Sequence, residues 1–131
     1  MIGRLWKTGL KAGRGEAYEA FAREVSLPMF QTQVGFLGCV MSRDEEEGLV
    51  LTFWRDQSAV KALDTSISYR ETVARILAAD VLKEPQTTSV GHVHLVDLER
   101  LVQSGEIFGR KHPIDHYSPV GNIGDSWGLE E

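Results

Sequence analysis

Gly48-Leu49-Val50-Leu51-Thr52-Phe53-Trp54-Arg55 is the stretch on which the fold turns. Its β-branched and aromatic content suits a strand. Side chains alternate across a strand, so Leu49, Leu51 and Phe53 point one way and Val50, Thr52 and Trp54 the other. Both sets are apolar apart from Thr52, whereas a sheet with one wetted face alternates apolar with polar. The strand is therefore predicted to be central in a sheet that needs cover on both sides.

Working upstream, Phe36 to Arg43 reads as a second strand, joined to the central one across Asp44-Glu45-Glu46-Glu47 as a hairpin with a solvated acidic tip. Ile2 to Lys7 suits a first strand, ending in the glycine- and lysine-rich loop Thr8 to Gly15. Between them Tyr18, Phe21, Ala22 and Val25 recur at helical spacing, with Glu16, Glu19, Arg23 and Glu24 on the other side. Pro28 is expected to end or kink that helix at Ser26-Leu27-Pro28, with Met29 and Phe30 leading into a turn at Val34-Gly35.

Downstream, Asp56 is placed to cap a short helix through Leu63, and the box Ser68-Tyr69-Arg70-Glu71 to start another that carries Val73, Ile76 and Leu77. Thr87 to Val96 reads as the last strand. The order βαββαβ predicts an α+β, ferredoxin-like domain with an antiparallel sheet and both helices on one face. A second copy of the sheet is the simplest cover for the other face, so a homodimer, a dimeric α+β barrel, is expected. Residues 1–96 form the domain in this reading. Residues 97–131 form an extension, apolar enough at Phe108 and Trp127 to pack on the domain or on the partner subunit.

With 131 residues, 42% of them hydrophobic, one core is expected. The net charge of −5 and the scattered basic residues argue against nucleic acid or an anionic membrane as partners. No apolar run approaches the ~18 residues of a membrane span, and the N-terminal residues lack the pattern of a secretion signal. The single cysteine, Cys39, forms no internal disulfide, and the expected location is cytoplasmic. Cys39 itself reads as a buried apolar thiol.

Gly35-Phe36-Leu37-Gly38 entering the second strand, and Leu51-Thr52-Phe53-Trp54-Arg55-Asp56-Gln57-Ser58-Ala59 running from the third strand into a helix, resemble the antibiotic biosynthesis monooxygenase domain. The resemblance covers about Met1 to Val96. It implies a dimer of facing sheets, a cleft between sheet and helices in each subunit, and a monooxygenase that uses no bound cofactor. Haem-cleaving members resemble one another in an asparagine on the first strand, a tryptophan ending the third and a histidine on a later helix. Here only Trp54 matches, since the sole asparagine is Asn122 and no histidine precedes His92. Quinol-oxidising members have been linked to an asparagine four residues before the tryptophan and a tyrosine six after it, where this chain has Val50 and Val60.

An oxygenase of that kind needs a dry apolar pocket, a proton acceptor and donors for the developing anion. Candidate catalytic residues are His92, as general base, and Tyr69, as hydroxyl donor. Candidate substrate contacts are Trp54, Thr52, Arg4 and His94. Each also has a plain structural role: Trp54 as a core anchor, Tyr69 as a half-buried ring with a wet hydroxyl, Arg4 as a solvated or ion-paired strand residue. His92 and His94, at i and i+2 of the expected last strand, would point to one side, as a proton-transfer site or as two metal ligands. A third ligand would have to come from His112 or His116, and no metal site is assigned. The substrate class is a small aromatic or polyketide-like molecule. The alternatives are a non-catalytic binder of a small apolar molecule and a structural dimer whose cleft is filled by Met29, Phe30 and Trp54.

Overall fold

The structure, a computed structural model, describes residues 1–106. Four antiparallel strands, β1 (Ile2–Leu10), β2 (Phe36–Arg43), β3 (Glu47–Trp54) and β4 (Leu82–His92), form one sheet in the order β2-β3-β1-β4. The domain is α+β with ferredoxin-like order, and β3 is internal, as its two apolar faces require. The helices are α1 (Gly15–Phe21), α2 (Leu27–Gln31), α3 (Gln57–Thr65), α4 (Ile67–Ala78) and α5 (Glu99–Ser104).

Helix α1 does not stop at the proline. A π-helical turn over Ala22–Ser26 links α1 to α2, with the Leu27 N–H bonded to the Ala22 carbonyl five residues back. Pro28 then falls in the first turn of α2, where its missing N–H costs nothing. The chain thus stays helical to Gln31, with Met29 and Phe30 buried on α2 ahead of the turn. The turn that follows depends on Gly35. Its φ is +83°, and a Cβ there would stand 2.5 Å from the Ala59 Cβ.

Asp56 caps α3 as expected, accepting the Ala59 N–H at 3.0 Å. That backbone bond, and after it the neighbouring Arg55 guanidinium, hold the Asp56 carboxyl below the ordinary carboxylate range. The cap of α4 is Ser66, not Ser68: the Ser66 hydroxyl accepts the Tyr69 N–H at 3.2 Å, and Ser68 is inside the first turn. The last strand also differs from the expectation. β4 begins at Leu82, five residues early, and passes Pro85 where the β1–β4 register shifts between Thr8 and Gly9. It ends at His92, paired with Ile2 of β1, and the Val93 N–H beyond it donates to the Met1 carbonyl.

The register gives each face its members. Ile2, Arg4, Trp6 and Thr8 of β1 lie beside Trp54, Thr52, Val50 and Gly48 of β3, on the face that the helices cover. The opposite face carries Leu5, Leu49, Leu51 and Phe53, all half-buried, with Val40 exposed beside them. At its edge the Val93 side chain lies over Gly3 beside Leu51. Helix α5 and its approach leave Leu95, Leu98, Leu101 and Val102 exposed. Phe108 and Trp127 lie outside the described residues.

Candidate functional site

The space between sheet and helices is divided. At one end Phe30 stacks on Phe36 at 5.8 Å and meets Trp54 edge-on at 6.3 Å; Phe36 also meets Trp54 edge-on at 5.5 Å. Ile2, Ala59, Val60 and Leu63 close this cluster, which is solid core. At the other end, over Val50, Trp6 and Met41, a cavity of about 60 Å³ remains. Its roof comes from the end of α1, the π-helical turn and α4, through Phe21, Ala22, Val73 and Ile76.

Ser26 and Thr72, whose hydroxyl donates to the Ser68 carbonyl, interrupt this apolar lining, and so do Arg4, Tyr69 and Tyr18. Arg4 projects from β1 with only 6% of its surface exposed, and its guanidinium donates to the Tyr69 hydroxyl at 2.8 Å while lying 5.4 Å from that ring's centre. Tyr18 reaches across from α1 and lays its ring over Gly48, where a Cβ would come within 2.7 Å of the phenol carbon and oxygen. The Tyr18 hydroxyl is buried and has no hydrogen-bond partner among the described residues. Burial pushes its pKa up to about 12, so it is a neutral donor at any physiological pH.

The residues singled out from the sequence therefore separate. Arg4 and Tyr69 line the cavity and bond each other. Trp54 and Thr52 are fully buried and do not line it: the indole N–H donates to the Thr52 hydroxyl at 2.8 Å, and that hydroxyl donates onward to the Arg4 carbonyl at 3.3 Å. A donor already spent inside the core has none to offer a ligand. His92 ends β4 and is exposed, and His94 is exposed beyond the strand, so the pair does not stand side by side on a strand face, and neither lines the cavity. Among the described residues no three His, Cys, Asp or Glu side chains gather as metal ligands would. Cys39 is half-buried opposite Thr52, and burial raises its thiol pKa.

Tyr18 is the site residue that the sequence left unassigned. Its place on the inner face of the first helix was readable, but its contact with Gly48 is not periodic in any way. Met29, Phe30 and Trp54 do fill one end of the cleft, as the structural-dimer reading expects, but the Arg4 to Tyr18 end stays open.

No family model matches the chain, and no curated protein does. Solved structures do match in fold. SnoaB, a cofactor-independent oxygenase from Streptomyces nogalater, superposes with a TM-score of 0.59 at 13% identity, over 72% of this chain and 94% of that one. A protein of unknown function from Nitrosomonas europaea gives 0.61 at 16% identity, over 74% and 92%. A Deinococcus radiodurans protein described as a candidate antibiotic biosynthesis monooxygenase gives 0.62 at 10% identity, over 74% and 96%. The domain thus has the fold of antibiotic biosynthesis monooxygenase structures. No helix among the described residues is long and apolar enough to cross a membrane.

Proposed function

We propose that this chain is a cofactor-independent monooxygenase, working as a cytoplasmic homodimer, that takes a small aromatic or polyketide-like molecule into the cavity between sheet and helices. The observation that carries the reading is the cavity itself: apolar walls, with Arg4 and the Tyr69 hydroxyl among the lining and a buried phenol, Tyr18, whose hydroxyl has no partner among the described residues. SnoaB, described as a cofactor-independent oxygenase, shares the fold and supports the reaction class. The apolar open sheet face around Leu51 and Phe53 supports the dimer.

The chemistry asks little of the protein. An activated methylene gives up its proton and its carbanion reacts with oxygen, so that one methylene and one dioxygen become one ketone carbonyl and one water, the substrate supplying all the electrons. The site contributes dryness, orientation and a donor to the developing oxyanion from Tyr69. Size restricts the substrate. A cavity of about 60 Å³ is well below the ~150 Å³ that holds benzene in an engineered core, so entry of a ring must displace flexible walls such as Met29 and Met41.

A second reading, a non-catalytic binder of the same class of molecule, is favoured by one observation: among the described residues the cavity lining contains no carboxylate and no imidazole to act as base. Oxygen uptake with a panel of hydroxylated one- and two-ring aromatics separates the two. The expected result is uptake matched to ketone formation by the wild type and loss of it in Ala22→Phe, which fills the cavity. A compound that binds without turnover anywhere in the panel would leave the binder.

A further inference from the structure

We infer that the ligand of this cavity is a monoanion, a flat ring bearing one carboxylate or one ionised phenol or enol, seated with its charged oxygen against Arg4 and Tyr69. The inference rests on the proposed use of the cavity and adds the charge of what enters it.

Arg4 is the reason. A guanidinium keeps its charge at any pH a protein meets and offers five N–H donors. The one from Arg4 is buried, and among the described residues its side chain makes a single hydrogen bond, to Tyr69. No carboxylate among the described residues pairs with it. Arg43 shows the ordinary arrangement: it ends β2, also on the helix side, and its Nε donates to Glu19 at 2.7 Å. A buried charge without a counter-charge is costly, and the chain maintains one at the edge of an apolar space. Tyr69 adds a second donor. Its oxygen accepts from Arg4, so its own proton is available and makes no bond within the described residues. The two groups offer N–H and O–H to one acceptor, the arrangement that charge-assisted hydrogen bonding to a carboxylate or phenolate needs. One guanidinium compensates one charge, and the surrounding Trp6, Val50 and Phe30 suit a ring. The same contact supplies what the lining lacks. A substrate that arrives already ionised needs no base from the protein.

The test uses three probes of similar size: benzoate, 4-nitrophenol and neutral nitrobenzene, titrated into the full chain. Wild type is expected to bind benzoate or 4-nitrophenolate tighter than nitrobenzene by on the order of tenfold to hundredfold. Which of the two it prefers tells carboxylate from phenolate. Arg4→Met should lose that excess and keep nitrobenzene; Tyr69→Phe should lose a smaller part. Binding should also lower the apparent pKa of 4-nitrophenol, read in wild type from the colour of its anion, which keeps the inference testable if Arg4→Met does not fold. Equal affinity for nitrobenzene and the anions, or anion binding untouched by Arg4→Met, would overturn the inference and leave the cavity reading standing. Failure of all three probes to bind would overturn both.

Discussion

Replacing Tyr18 by phenylalanine removes one oxygen from a place where it has no partner among the described residues, and the expected outcome is a more stable protein. A buried hydroxyl without a hydrogen bond costs about 1–3 kcal/mol, while the dispersion attraction of a single oxygen atom to its surroundings is worth roughly a few tenths. The net gain is therefore about 1–2 kcal/mol, or a rise in Tm of roughly 4–8 °C for a domain of this size. The pH profile gives an independent reading. The folded pKa of Tyr18 is raised, from 10.0 to about 12, so folding favours the neutral phenol. Its effect on stability is constant below pH 10 and turns against the fold as pH rises from 10 towards 12. Wild type should thus lose on the order of 2–3 kcal/mol more than Tyr18→Phe across that window. Urea unfolding at neutral pH and at several alkaline values measures both effects, since the remaining titrating groups are common to the two proteins. A variant less stable than wild type at neutral pH would mean that the hydroxyl is satisfied. Parallel alkaline profiles would mean that its burial is misjudged.

Thr52→Val leaves the Trp54 indole N–H without an acceptor in the dry core and should cost about 1–3 kcal/mol in urea unfolding. Trp54→Phe added to it should cost less than the two changes apart, because the orphaned donor is gone. Ser66→Ala, which removes the cap of α4, should cost about 1 kcal/mol, and Ser68→Ala less; the reverse order in thermal melts would return the cap to Ser68. Leu51→Lys sets a charge in the open sheet face and should shift the protein to monomer in sedimentation; a wild type that is monomeric at all concentrations would remove the dimer from the proposal.

Much of the fold was readable because it rests on local signals. The alternation through Leu49 to Trp54 and the Asp56 cap act within a few residues, and the structure carries both. Pro28 does not end the helix because its effect depends on the turn before it: a π-helical turn shifts the ladder by one residue and lets the helix pass. The bounds of β4 were unreadable in its own sequence, since they follow its pairing with β1. The site divides in the same way. Trp54 was conspicuous as a tryptophan ending a strand, and that conspicuousness belongs to the core. Arg4 gains its meaning from Tyr69, 65 residues away, and Tyr18 from lying over Gly48. Neither contact leaves a periodicity to detect.

The cavity between sheet and helices is where a ligand is expected to bind, and its walls carry their own reporters. The chain has three methionines: Met29 and Met41 line the cavity, and Met1 stands exposed at the start of β1. Methyl NMR of the methionine-labelled protein during titration with nitrobenzene should show ring-current shifts at Met29 and Met41 that saturate together while Met1 stays in place. Saturable binding that leaves both cavity methyls unmoved would contradict it.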